Sequence, residues 1–361
     1  KGVIITKSFS NSIEYDDIDG AISYYWKYGE FSLAKENIKI GSGNFGNIIL
    51  SDKFPSFPYF SFEFMPTNWL RFYYLHGLLK SNIVDSSTIR YDPLSNRYSM
   101  MDIPKYFVLH TLSLYPTNEI SLLLGESIVY SERFQPIYLI PVLFFRSVDH
   151  YLSQNLGSST GNAQIFVDIS YLNRSIKSKL YSTLFIDEMS ISSLFKSKKN
   201  ITYGWTIGLE SRNLVLPIDY AVLEYTRVSP FVYMNSVAAQ EYSTNNIKMG
   251  HWIESNSVIY SLSYGGYFLK NLFLSLDLWY FKKGKTETTA EQYSNLYPPT
   301  LYGAKRKETG LGLNIRYNLL SNMAIKFEYL YNNITDEETN RTYEFKKGKN
   351  SNFNISLSLS Y

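Results

Sequence analysis

In the last ten residues, NFNISLSLSY, Phe353, Ile355, Leu357, Leu359 and Tyr361 alternate without a break against Asn352, Asn354, Ser356, Ser358 and Ser360. A period of two is that of a β-strand with one apolar and one polar face. The pattern recurs in GLGLNIRYNL (Leu311, Leu313, Ile315, Tyr317), NMAIKFEYLY (Met323, Ile325, Phe327, Tyr329, Tyr331) and LFLSLDLWY (Leu272, Leu274, Leu276, Leu278, Tyr280). Read back from the C-terminus, it predicts strands over 352–361, 322–333, 308–318, 271–282, 257–268, 218–234, 202–212, 178–187, 163–172, 119–130, 105–115, 68–79 and 58–65. Earlier candidates are 3–9, 20–29 and 31–40. Most run about ten residues, the length that crosses a bilayer at a tilt.

The connections alternate short and long. Leu319–Ser321 and Leu269–Lys270 are tight, and Pro-Thr-Asn marks two more short turns at Pro66–Asn68 and Pro116–Asn118. If the last strand ends in the periplasm, the external loops are 334–351, 283–307, 235–256, 188–201, 131–162 and 80–104, all of them long. That rhythm, with repeated Tyr at strand ends, predicts an all-β, closed antiparallel transmembrane barrel of about sixteen to eighteen strands, with short periplasmic turns and long extracellular loops. Closure pairs every backbone N–H and C=O, and each orphan in hydrocarbon costs on the order of several kcal/mol. A soluble β-sandwich also alternates, but it leaves no home for five apolar residues per strand. One stretch departs from the β pattern: IPVLFFRSVDHYL, 140–152, carries a proline suited to a helix start and predicts a short helix near 141–152 within the long loop. The whole of 1–361 reads as one barrel domain, in the outer membrane of a Gram-negative-type bacterium.

Composition narrows the chemistry. Of 361 residues 33 are Tyr and 23 Phe, Cys is absent, and the net charge is +3. Disulfide frameworks, thiolate metal sites and cysteine nucleophiles are excluded. No apolar run of helix-spanning length occurs, and no basic block offers a footprint for nucleic acid. The chain begins at Lys1 with no charged-then-apolar leader, as expected of a trimmed chain.

Gly41, Gly43 and Gly46 spell G-x-G-x-x-G, a pattern that cradles phosphate only where a helix follows. Here Ile48, Ile49, Pro55 and Pro58 follow instead, so no nucleotide is expected, and the glycines are read as a close-packed external or lumen-dipping loop. His76, His110, His150 and His251 lie in four segments without ligand spacing, so no metal or other cofactor is expected. No local nucleophile motif marks an enzyme. Charges within strands or the helical insert, Glu126, Arg146, Asp149, Asp187 and Glu188, are costly on the lipid face, so a lumenal polar network is expected of them. Basic triplets at loop edges include Lys283, Lys305 and Arg306. They suit lipopolysaccharide phosphates or an acidic surface polysaccharide. Tyr293, Tyr297 and Tyr302, and Trp252 in a second loop, are the rings expected to stack on sugars. The C-terminal strand ending at Tyr361 is the segment expected to engage the barrel-assembly machinery.

GSGNFGNIILSDKFPSFPYF, YLIPVLFFRSVDH, YSTLFIDEM and the run from YTRVSPFVYMN to MGHWIESNS resemble, in this order, segments of the Wzi-type outer-membrane proteins of capsule assembly and their gliding-motility relatives. The resemblance spans about residues 20–282 and implies a partly occluded barrel of about eighteen strands, acting as a surface lectin that anchors capsular polysaccharide. It marks Gly41, Gly43, Gly46, Pro55, Arg146, Asp149, His150, Asp187, Glu188, Gly250 and His251 as family-type positions, architectural or lumenal in role. Where such proteins often carry Gly-Pro-Asn after Gly-His, this chain reads Trp252-Ile253-Glu254. The strand count falls below eighteen, which points to an N-terminal portion preceding residue 1. A porin for small solutes, or a structural part of a motility or secretion machine, is the alternative function.

Overall fold

The computed structural model describes residues 5–8, 13–15, 18–94, 96–157, 161–188, 202–294 and 298–359. Fifteen strands form one antiparallel sheet in which each strand pairs with its neighbours in sequence. They are β1 (Gly20–Trp26), β2 (Gly29–Glu36), β3 (Phe57–Thr67), β4 (Leu70–Leu79), β5 (Lys105–Leu114), β6 (Ile120–Ser131), β7 (Asn162–Asn173) and β8 (Ser178–Glu188). There follow β9 (Thr202–Arg212), β10 (Asp219–Val228), β11 (Ser257–Leu269), β12 (Leu272–Lys283), β13 (Arg306–Leu320), β14 (Met323–Asp336) and β15 (Gly348–Leu359). The strand expected at 3–9 is observed as Ile5–Ser8, paired with Ile13–Tyr15. Short connections (27–28, 68–69, 115–119, 174–177, 213–218, 270–271, 321–322) alternate strictly with long ones (37–56, 80–104, 132–161, 189–201, 229–256, 284–305, 337–347). The sheet is the wall of an outer-membrane-type barrel.

Its two faces are inverted relative to a soluble protein. On β7, Asn162, Gln164, Phe166 and Asp168 are buried inside, while Ile165, Val167 and Ile169 point out. On β8, Tyr181, Thr183, Phe185 and Asp187 point in, and Leu180 and Leu184 are exposed. Exposed aliphatics outside and polar or aromatic groups inside are what lipid demands of a barrel wall.

The lumen is filled by two of the long connections. Segments 37–56 and 229–256 turn inward and bring Ile48, Ile49, Leu50, Tyr233, Tyr242 and Met249 against Phe107, Phe166 and Phe185 of the wall in one apolar cluster. This is why β10 stops at Val228 rather than at the expected 234. Phe231 (φ 66°) and Tyr233 (φ 71°) leave the extended conformation and redirect the chain into the barrel. Within 229–256, Ser243–Thr244 and Ile247–Lys248 form a small hairpin whose turn residues Asn245 and Asn246 both have positive φ, the backbone of a type I′ turn. Likewise β2 ends at Glu36, short of the expected 40, because Ile40 pairs with Leu50 inside the lumen.

The third long connection corrects two expectations. The helix, α1, spans Phe145–Leu156 rather than 141–152. It is started by a carboxylate from the wall, not by Pro141, since the Phe145 amide donates to Glu126 Oε1 at 2.6 Å. Moreover, α1 packs on the outer face of the barrel: Phe145, Val148 and Leu152 meet Tyr74, Val108, Ile128 and Tyr130. On β6, Ser127 and Val129 face the lumen with Gln164 and the central cluster. By strand parity Glu126, Ile128 and Tyr130 therefore face outward. Glu126, Arg146 and Asp149 are thus not lumenal. The cost of a charge on the outer wall is met by covering it, with His110 Nε2 at 3.3 Å and the start of α1 overhead.

Candidate functional site

The glycine segment sits in the lumen with its backbone amides already engaged by acids from the wall. Ser42 N donates to Asp168 Oδ2 at 2.9 Å and Ser42 Oγ to Oδ1 at 2.6 Å. Asn44 N donates to Glu224 Oε2 at 2.7 Å and Phe45 N to Oε1 at 3.2 Å. Tyr181 Oη also donates to Glu224, at 2.7 Å. The donors that such a loop offers to phosphate are taken up by Asp168 and Glu224, which the sequence reading did not single out. They sat at inward positions of ordinary alternating strands, and their charge there was the one signal pointing to them.

The second plug segment locks onto the first. Tyr233 Oη donates to Ile48 O and Tyr242 Oη to Ile49 O, both at 2.8 Å, and Ser51 N donates to Met249 O at 2.8 Å. Asp187, lumenal as expected, accepts from Gln164 Nε2 at 3.1 Å and from the Tyr233 amide. Gly250 lies under the Tyr233 ring, where a Cβ would come within 2.2 Å. His251 is fully buried, takes the Ile253 amide on Nδ1 at 3.3 Å, and has no hydrogen bond to Nε2. Burial pushes it down to about 3, so the imidazole is neutral.

Above the plug, toward the extracellular end, a cavity of about 430 Å³ brings together Trp252, Lys283 and Arg306, three residues the sequence marked from separate stretches. Trp252 is 37% exposed, donates Nε1–H to Phe45 O at 2.8 Å, and its ring lies 5.8 Å from that of Phe281. The Arg306 guanidinium lies over the Phe281 ring at 5.5 Å, pairs with Glu308 at 2.7 Å, and leaves its buried Nε without a hydrogen bond. Lys283 is more buried than a loop-edge lysine should be. Its Nζ reaches Ile253 O at 3.3 Å, Ser255 O at 3.2 Å and Glu254 Oε2 at 3.1 Å, so it ties down the loop that carries Trp252. Lys248 and Glu241 line the same cavity as an ion pair, and so does Arg341, which pairs with Glu338 outside it. Glu287 accepts from the Phe231 amide at 2.6 Å and from Ser255, and burial pushes its carboxyl up. A flat indole among donor–acceptor pairs is a surface suited to hydroxyl-rich ligands.

The other marked residues are scattered. Lys305 is exposed on the rim, and its backbone amide donates to Glu337 at 2.8 Å. The half-buried Tyr302 lies near Phe231 and Lys285, with a buried Oη that has no hydrogen bond. The Tyr293 and Glu188 side chains and Tyr297, like the terminal Tyr361, lie outside the described residues. His150 is exposed on α1, and Pro55 is buried beside Phe54. Below the plug a larger cavity, about 1020 Å³, is lined by rings such as Tyr220, Trp279 and Tyr329 and by Asn44, Asp277 and Asn314.

A wall with lipid-facing aliphatics, a lumen entered by two infolded loops and an aromatic, charge-lined chamber at the outer mouth together define an outer-membrane β-barrel. More particularly, the chain belongs to the Wzi capsule assembly protein family, whose model matches residues 137–345. That match starts beyond the glycine segment and extends past the 282 at which the sequence resemblance stopped. Among solved structures, the fold is similar to Wzi of Escherichia coli, an outer-membrane protein involved in group 1 capsule assembly and described as a carbohydrate-binding β-barrel. The TM-score is 0.63 at 11% identity, over 97% of this chain and 70% of that one. It is also similar to OccK10 (OpdN) of Pseudomonas aeruginosa, with a TM-score of 0.51 at 10% identity over 94% and 83% of the two chains. No curated protein matches the chain in sequence.

Proposed function

We propose that this barrel is a binding protein rather than an enzyme, and that it secures cell-surface polysaccharide at its extracellular mouth. The observation that carries this reading is the half-open Trp252 indole, set beside Arg306 and Phe281 in the chamber above the plug. A sugar ring stacked on the indole would find hydroxyl partners in the paired charges around it, and an acidic sugar would meet the cationic groups of Lys248, Arg306 and Arg341. The carbohydrate binding of the Escherichia coli neighbour and the shared family support the same reading. Purified native barrel in detergent should be retained on an immobilised acidic polysaccharide, and Trp252→Ala should cut retention at least several-fold while the barrel stays folded. Unchanged retention in W252A would remove this chamber from the binding surface.

A further inference from the structure

The stretch Phe134–Phe145 contains no charged residue, and the turn within it, 139–144, is left exposed on the outside of the barrel. Val142 is 76% exposed, Ile140 48% and Phe144 46%, although they belong to a connection that topology assigns to water. Their position on the wall explains this. The helix α1 begins against Glu126 and returns through Gly161 to Asn162 at the rim, about 18 Å of helix for twelve residues. Its buried side carries Phe145, Val148 and Leu152 together with Asp149, which accepts from the Gly161 amide, and Ser147, His150, Gln154 and Asn155 are exposed on the other side. At its lower end, the turn and the wall enclose a groove of about 470 Å³ lined mainly by Val142, Phe144, Leu112, Leu124, Ile165 and Val167, with the paired His110 and Glu126 at its edge under the start of α1. Leu124 pairs with Val167, five residues below the Val129–Asn162 pair at the rim, so the groove opens on the outward apolar rows of the strands.

We propose that residues 139–144 form an elbow inserted in the hydrocarbon of the outer leaflet, with a lipid acyl chain filling the groove and the polar face of α1 at headgroup level. Continuity of the groove with the lipid-facing wall selects an acyl chain as its occupant, and the uncharged sequence of the elbow permits immersion. The stretch 139–156 is therefore a membrane anchor on the outer wall, not part of a free extracellular loop.

The chain has no cysteine, so a nitroxide can be placed at one chosen site. In phosphatidylcholine–phosphatidylglycerol vesicles, a label at Val142→Cys should collide with oxygen more than with a water-soluble nickel chelate, as a label at the outer-wall residue Leu223→Cys does. One at Gln154→Cys should show the reverse. Nickel access at V142C equal to that at Leu94→Cys, a 98% exposed loop residue, overturns immersion. Shielding from both reagents with spin–spin broadening overturns it too, in favour of a second copy against the elbow. Val167→Trp places an indole at the groove floor, and phosphatidylcholine brominated along its chains should quench that added emission. No quenching beyond the native chain overturns the lipid occupant. Heat-dependent gel mobility verifies that each variant is folded.

Discussion

Gly46 lies flat against His251: a Cβ on Gly46 would stand 2.6 Å from Nε2 and 2.8 Å from both neighbouring ring carbons. These residues, one from each plug segment, form a close contact between the two segments beside the hydrogen bonds that join them. The ring is fully buried and cannot swing away as a long flexible chain would. Gly46→Ala should therefore destabilise the folded barrel by about 1–3 kcal/mol, read as a lower temperature of conversion to the unfolded gel band. In G46A/H251A the ring is gone, and the double variant should lose less than the sum of the single losses. Strict additivity would show that the contact carries no energy.

His251 also sets an acid limit on plug docking. Its pKa is about 3 in place and 6.5 as a free side chain, so between those values the undocked plug binds more protons than the docked one. Docking is thus fully supported above pH 6.5 and weakens as pH falls toward 3, by about 1.4 kcal/mol per unit. Buried Glu287, raised in place, acts in the opposite sense in acid, so the test is a difference. The opening free energy across 229–256, obtained from amide exchange after division by the intrinsic exchange rate at each pH, should fall from pH 7.5 to pH 5 in the native chain, and fall much less in His251→Gln. Equal slopes in both proteins would assign the acid response to other groups.

What sequence made legible followed from period. The strands of the C-terminal half alternate cleanly, so their number, lengths and loop rhythm could be read directly. At ISLLLGESIVYS the run Leu122–Leu123–Leu124 blurs the alternation, and the direction of Glu126 was inferred from the cost of a charge in lipid. That cost is real, but here a loop folded back over the wall meets it, and no local pattern announces such a fold. The glycines were legible as close approaches. His251 was marked too, but not as the partner of Gly46, because it lies 205 positions further on and the two meet only once both loops enter the lumen.

Glu126 acts as the N-terminal cap of a helix remote in sequence, since Phe144 at the cap position supplies no side-chain acceptor. Glu126→Ala should weaken α1 docking by about 1–2 kcal/mol, the scale of a lost cap. Trypsin cleavage after Arg146 should accelerate while the heat-dependent gel mobility of the barrel stays near native. A cleavage rate equal to that of the native chain would mean that apolar packing alone holds the helix.

Lys283 is predicted to shape the chamber around Trp252 rather than to contact a ligand in it. Its ammonium satisfies the carbonyls of Ile253 and Ser255, and leaving buried acceptors unpaired costs about 1–3 kcal/mol. Lys283→Met should raise amide exchange at 251–257, with any loss of polysaccharide retention following from that loosening. A retention loss without increased exchange would make Lys283 a direct contact.

The plug separates a binding barrel from a diffusion porin, and conductance distinguishes them. Around the plug the wall carries Thr206, Thr226, Ser261 and Gln164, side chains that water would solvate were the lumen open. In the native fold Ile48, Ile49, Tyr233 and Tyr242 fill that space, so an ion crossing it meets a packed apolar layer. Native protein in planar bilayers should show little steady current. Replacing residues 236–250 with a short Gly-Ser linker removes Tyr242, Met249 and Gly250 from the layer, and should open a conductance many times larger without loss of the barrel. A large steady current from the native chain would make it a porin, and silence in the excised variant would show that segment 37–56 alone closes the lumen.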